Sequence, residues 1–334
     1  MVIDNRLKIN SYCQNIGSNA LFVQGAGGNI SWKDDNILWV KASGMWLADA
    51  MDKNIFVSVD LTSVLEQVKD KKYSIKIKSI EASDLRPSIE TILHAILPHR
   101  LVLHIHAIEI LAFLVCKDYK KIISTFIADE YDCSYIDYKK PGPDLAKAVS
   151  EVINQSPNVQ IIFLQNHGIV IGGEDINEID SILNNLISHI DNLQRKQFEN
   201  KKIDYLLLPL LKGYEPLKDK DVHNLSINDE YYKHTLIHWS LYPDHVVFLG
   251  RKSFCYDSFE DFLSSKLRPD LIFIKNIGVY ISVKFNSAQK AQLRCFYDVI
   301  IRIQSGNRLN ILDDAIIDGL LNWDSEKYRI EHAK

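Results

Sequence analysis

What this chain lacks narrows the field before any motif is considered. It has five cysteines in 334 residues, at 13, 116, 133, 255 and 295, with no Cys-x-x-Cys pair. That sets aside a disulfide framework and a cysteine zinc ribbon, and reads as reduced thiols of a cytoplasmic protein. No apolar run reaches the roughly 18 residues a membrane helix needs. The first residues, Met1-Val-Ile-Asp-Asn-Arg6, carry charge where a secretory signal would be apolar. There is no long basic stretch and the net charge is −4, so neither nucleic acid nor an anionic membrane is the expected partner. A GxGxxG turn and a GK[ST] triplet are both missing, which argues against dinucleotide and P-loop phosphate sites. What is left, 46% hydrophobic and 25% charged residues, is the make-up of a globular protein with room for one large domain or two.

Periodicity places helices near 5–20, where Ile9, Cys13, Ile16 and Leu21 are spaced for one face, and at 61–71, 88–97, 108–116, 143–154, 176–198 and 287–305. Ser88 is a candidate N-cap, Pro98 a stop, and Pro143-Asp144 a helix start. Strands are expected at 30–33, 37–42, 101–106, 159–164, near 246–249 and at 271–275. Strands and helices alternate, so the class is α/β. Residues 201–226, with Pro209, Gly213, Pro216 and Lys218-Asp-Lys-Asp221, read as a linker between a first domain, 1–200, and a smaller α/β unit, 227–334. That second unit echoes the first: Ile161-Ile-Phe-Leu-Gln-Asn-His167-Gly-Ile-Val-Ile171 aligns with Leu271-Ile-Phe-Ile-Lys-Asn-Ile277-Gly-Val-Tyr-Ile281 at a constant offset of 110. Two readings fit this pattern, a degenerate partial repeat and a strand–Asn-x-Gly–strand turn that is a common solution in unrelated segments. Ile277 stands where His167 stands and cannot ligate a metal, so 227–334 reads as a catalytically silent lid or assembly module.

The chemistry gathers in the first domain. In Leu101-Val-Leu-His104-Ile-His106, two histidines at i and i+2 project from one face of a strand, which is half of a divalent metal site. His167 ends a strand before Gly168 and could add a third nitrogen, leaving the open position that marks catalytic rather than structural sites. Glu90, in Arg86-Pro-Ser-Ile-Glu90-Thr, could act as general base or as a fourth ligand. His94, four residues on, reads as packing or support for the ligands. The turn Gln24-Gly-Ala-Gly-Gly28-Asn29, with Ser43-Gly44 and Ser88, offers hydroxyls and permissive backbone for an anion.

Taken together these residues resemble the class II aldolase/adducin family over roughly residues 5–200. Gly-Ala-Gly-Gly28-Asn29-Ile-Ser31 is similar to its phosphate loop, Ala42-Ser43-Gly44 to its second phosphate turn, and Pro87-Ser88-Ile89-Glu90-Thr91 to its serine-and-acid motif. His104-Ile-His106 and Asn166-His167-Gly168 resemble its three zinc histidines. The C-terminal extension looks like the aldolase segment of long rhamnulose-phosphate aldolase/dehydrogenase fusions. The resemblance implies a three-layer α/β/α sandwich around a mainly antiparallel sheet. It implies one Zn2+ per subunit on His104, His106 and His167, with a ketose, phosphorylated in most relatives, as substrate. Glu90 would be the acid/base, and Gly28, Asn29, Ser43, Gly44 and Ser88 the phosphate contacts. It also implies homotetramers with sites at subunit interfaces. Within the resemblance, a glutamate at position 90 implies the aldolase branch over the epimerase branch, where aspartate is usual; the alternatives are an epimerase or dehydratase on the same metal, or a non-enzymatic adducin-like scaffold. The chain departs from small aldolases in having Ile89 where a second serine is usual. The family's general-acid tyrosine is open among Tyr119, Tyr131, Tyr135 and Tyr138.

Overall fold

Apolar strands buried on both faces build the centre of this protein. In the computed structural model, which describes residues 2–127, 131–191, 199–304 and 306–333, they are Asn29–Asp34 (β1), Ile37–Lys41 (β2), Phe56–Asp60 (β3), Leu101–Ile105 (β4), Cys133–Ile136 (β5), Ile161–Leu164 (β6) and Gly168–Gly173 (β7). They form one sheet in the order β3-β2-β1-β4-β7-β6-β5, antiparallel except where β5 meets β6. Leu101, Leu103 and Ile105 of β4 face one side. There they cluster with Ile9 and Cys13 of the helix Val2–Ser18, Leu111 of Ile108–Leu114 and Leu183 of Ile176–Asp191. Val102, Ile162, Leu164 and Val170 face the other side, against Leu93 of the helix Thr91–Ile96 and Val149 of Pro143–Gln155. Helices therefore cover both faces, and the expected α/β/α sandwich around a mainly antiparallel sheet is the architecture of the first 190 residues.

A polar stripe ties the helix Thr91–Ile96 to β1. The odd residues of β1 face it: Asn29 donates to Glu90, Ser31 bonds His94 at 2.8 Å, and Lys33 donates to the carbonyls of Leu97 and His99. His94 is thus a packing residue, bonded to Ser31. The helix starts at Thr91, three residues later than its sequence suggests. The Ser88 hydroxyl instead accepts from the Glu90 N–H at 3.2 Å, holding the turn that presents Glu90. Leu21, expected on the buried face of the first helix, lies beyond its end and is exposed. The helix expected over 176–198 is described to Asp191; residues 192–198 lie outside the described residues.

The second unit is a four-stranded sheet, Tyr214–Pro216 (β8), Cys255–Tyr256 (β9), Leu271–Ile274 (β10) and Gly278–Ser282 (β11), in the order β8-β11-β10-β9. It is present as expected, with two differences. The stretch 201–226 is built into it: β8 is an edge strand paired to β11, and Asn224 and Asn228 bond the backbone of Lys201 and Glu199. The strand expected near 246–249 is the end of a helix, Pro243–Leu249. Val-Val-Phe-Leu is apolar enough for a buried strand or a buried helix; Pro243 at the first helical position and Asp244 beside it decide for the helix. The two units share one core, in which Phe273 and Phe296 of the second join Ile108 and Phe113 of the first. All five cysteines are free. Among the described residues no helix is long and apolar enough to cross a membrane.

Candidate metal centre

Three strand ends converge on one buried point. His104 lies on β4, His106 just beyond it, and His167 in the β6–β7 turn. All three are buried, and their ligating nitrogens lie within 4.8 Å of one another. The turn is tight because Asn166 adopts φ 53° and Gly168 packs on β4, where a Cβ would stand 2.4 Å from the Ile105 carbonyl oxygen and 2.9 Å from His106 Cδ2. Only glycine lets the His167 turn come that close.

Hydrogen-bonding partners fix the tautomers of His104 and His106. His104 Nδ1 lies 3.0 Å from the Ile169 carbonyl, which can only accept, so Nδ1 carries the proton and Nε2 a lone pair. His106 presents Nδ1 to Asp244 Oδ2 at 3.4 Å, which leaves its Nε2 as the second lone pair. The two Nε2 atoms face each other at 3.2 Å. Glu90 adds two more acceptors, Oε2 at 3.5 Å from His104 Nε2 and Oε1 at 3.4 Å from His167 Nε2. Burial lowers the pKa of His104, and that of His167 to about 3, so both rings are neutral near pH 7. Neutral imidazoles and a carboxylate aimed at one point are mutually repulsive acceptors unless a cation sits between them. This donor set fits a divalent metal.

One cavity gathers nearly all of the expected site residues. Gly28, Asn29, Ser43, Gly44, Ser88, Glu90, His106 and His167 line it, with His104 directly beneath. Asn29 spends its amide on Glu90, donating to Oε2 at 3.0 Å. Gly28 and Gly44 have φ of 66° and 81°, backbone that favours glycine. Tyr119, Tyr131, Tyr135 and Tyr138 do not line the cavity: Tyr119 bonds Asp137, Tyr131 bonds Asn185, and Tyr135 stacks on Phe163.

Three contributors escaped the sequence reading. Lys41 is buried at the rim, donating to the Ala26 and Met45 carbonyls, and burial lowers its pKa to about 7. Asp244 and Arg329 come from the C-terminal unit, so a silent C-terminal unit does not match the structure. Asp244 touches His106, and Arg329, from the helix Asp324–His332, pairs with both Asp244 and Glu326. Burial works against the charge on Asp244, but Arg329 beside it holds its pKa well below the usual carboxylate range. Pro243-Asp244 carried a helix-start signal that would have placed Asp244 at a helix N-terminus. Arg329 sits in a strongly polar helix that reads as surface.

The family described as the class II aldolase and adducin N-terminal domain matches residues 8–180, just over half of the chain. The chain belongs to the class II aldolase and adducin family. Within it, a Bacillus subtilis protein named as an uncharacterized oxidoreductase, YuxG, is 26% identical over 231 residues, covering 59% of this chain and 33% of that protein. This chain therefore spans about a third of that relative's length. An L-fuculose phosphate aldolase of Methanococcus vannielii is 30% identical over 161 residues, 47% of this chain and 78% of that one. Among solved structures, the N-terminal class II aldolase domain of a conserved Thermoplasma acidophilum protein shares 27% identity. It covers 55% of this chain and 91% of that one, with a TM-score of 0.48.

Proposed function

We propose that this chain is a zinc-dependent aldolase that breaks or forms a carbon–carbon bond in a ketose phosphate. One zinc per subunit would be held by His104, His106 and His167. The observation that carries the reading is the convergence of three buried imidazoles and the Glu90 carboxylate on one point. The His104 and His106 nitrogens face each other at 3.2 Å, so both could reach one ion. A cation bound there supplies electrophilic polarisation of the substrate's carbonyl and hydroxyl oxygens. Glu90 moves the proton at the adjacent carbon, held in place for it by Asn29 and by the Ser88 turn. Gly28, Asn29, Ser43, Gly44 and Ser88, which line the same cavity, receive the phosphate.

The fuculose phosphate aldolases among the relatives support a sugar phosphate as the substrate class. As it stands the cavity has space for only about one or two waters, roughly 20 Å3. The helix Asp324–His332 lies over its mouth, with His332 against Gly44 and Tyr328 under Arg86. Admitting a ketose phosphate therefore requires the cavity to widen. The assembly we propose is a homotetramer of the family type in the cytoplasm.

The test is metal content per chain, followed by a panel of ketose phosphates with trapping of the released aldehyde. About one zinc per chain and a trapped aldehyde support the reading. Substrate consumed with no aldehyde rejects the aldolase in favour of an epimerase or dehydratase. Well-folded protein that takes up no metal rejects both and returns the scaffold.

A further inference from the structure

The metal centre proposed above rests on the first 190 residues, yet one of its histidines is addressed from the far end of the chain. Asp244 is buried, 3% exposed, at the first turn of the helix Pro243–Leu249. Both of its oxygens are committed. Oδ2 lies 3.4 Å from His106 Nδ1 and 3.4 Å from the Gln292 side-chain amide, and Oδ1 accepts from Arg329. Gln292 belongs to the helix Ser287–Ile300 and also reaches the Gln24 carbonyl at 3.4 Å. Arg329 is pinned in turn by Glu326 at 3.2 Å. Three helices of the C-terminal unit thus fix one carboxylate.

The first unit is shaped to receive it. A Cβ on Gly27 would stand 3.2 Å from Asp244 Oδ2 and 3.4 Å from His106 Nδ1. The Gly27 φ is negative, so this glycine serves close approach and not backbone conformation. His106 lacks the backbone acceptor that His104 finds in Ile169, and Asp244 takes that place.

We propose that Asp244 is a positioning residue of the metal centre. By accepting from His106 Nδ1 it keeps the proton off Nε2 and turns the ring's lone pair toward the other two histidines, so the C-terminal unit completes the site in cis. Carboxylate–imidazole pairs of this kind raise metal affinity by about 10–100-fold. The inference rests on the three-histidine reading and adds to it a residue outside the family-matched segment, 8–180.

The test measures the Zn2+ dissociation constant of the full chain by competition with a chromogenic chelator, alongside the melting temperature of the metal-free protein. Asp244→Asn should weaken Zn2+ by about 10–100-fold; its metal-free melting temperature falls because Arg329 loses a buried partner, so the affinity is read below that temperature. Asp298→Asn removes a buried carboxylate of the same unit that pairs with Arg294 and Arg302 and not with Asp244, Gln292 or Arg329, and should stay within about twofold of wild type. If Asp244→Asn does not fold, Asp244→Asn/Arg329→Met removes both members of the buried pair and leaves neither charge stranded; it should show the same loss. Wild-type affinity in the Asp244 variants overturns the proposal. So does an equal loss in Asp298→Asn, which would mean that any lost buried carboxylate of the C-terminal unit weakens Zn2+ through folding and not through His106. A wild-type protein that binds no Zn2+ overturns the metal reading itself, and this inference with it.

Discussion

Two hairpins in this molecule are built on one plan and do different things. In the first, Ile161 pairs with Ile171 and Leu164 with Gly168; in the second, Leu271 pairs with Ile281 and Ile274 with Gly278. Both turn through an asparagine in the left-handed region, Asn166 at φ 53° and Asn276 at φ 58°. Each has a parallel neighbour on one side, β5 or β9, and an antiparallel one on the other, β4 or β8. In both a histidine ring crowds the hairpin glycine: His106 at Gly168 and His223 at Gly278. The likeness supports our reading of 227–334 as a degenerate partial repeat.

The difference lies in what the ring nitrogens meet. His106 has a carboxylate at Nδ1 and a facing lone pair at Nε2. His223 spends both nitrogens on backbone, Nε2 donating to the Leu217 carbonyl at 2.7 Å and Nδ1 accepting from Val279 N–H at 2.9 Å. The antiparallel neighbour supplies His104 in one case and the short strand Tyr214-Glu-Pro216 in the other. A shared backbone is therefore not a shared site; the chemistry needs lone pairs left over after the fold has been satisfied.

Exchanging the residues that differ gives the largest expected effect. His167→Ala should drop zinc from about one per chain to near zero, since three ligands are the minimum of a catalytic site. Ile277→His should gain none, because no lone pair faces it. Metal analysis of the two variants checks both, and zinc bound by Ile277→His would break the comparison. Next come the glycines. Gly168→Ala drives a methyl into the Ile105 backbone oxygen, which cannot swing aside, and should destabilise by about 3 kcal/mol or more. Gly278→Ala meets side chains, His223 at 2.7 Å and Leu208 at 3.0 Å, and should cost about 1–2 kcal/mol, both read from denaturant unfolding.

The asparagines should separate further. Asn166 is fully buried and joins the two units, donating to the Leu241 and Asn310 carbonyls at 2.6 Å and accepting from the Asn310 amide at 2.7 Å. Asn166→Gly keeps the φ and loses those bonds, costing about 2–3 kcal/mol. Asn276 is exposed, and Asn276→Gly should lie within about 0.5 kcal/mol of wild type.

The smallest effect is on pH dependence. Burial lowers the His223 pKa below its ordinary 6.5. The unfolded chain then binds more protons than the native one once pH falls below 6.5, so stability declines from there toward acid. His223→Gln should flatten that part of the stability–pH curve; an unchanged slope would mean that His223 titrates normally.

Much of the first unit was legible because its signals are local. Continuous apolar runs in 101–105 and 161–164 declare strands with two buried faces, and His-x-His on such a strand puts two rings on one side whatever surrounds it. The helix over 243–249 was read as a strand because an apolar tetrapeptide buried on all sides has no period to read. The stretch 201–226 read as a linker because its prolines, glycine and charges are turn-forming residues, which an edge strand such as β8 tolerates. Ser88 looked like a helix cap and instead steadies the turn before Glu90.

By itself, then, the sequence determined the α/β class, the three histidines, Glu90 and the glycine turn, since residue type and spacing of two to four positions are enough to express them. Only the tertiary structure decided that Asp244 and Arg329 belong to the same place. They lie 138 and 223 residues beyond His106, and no local pattern marks them, because a buried carboxylate and its guanidinium look like surface charge until the two units pack and water is excluded from between them.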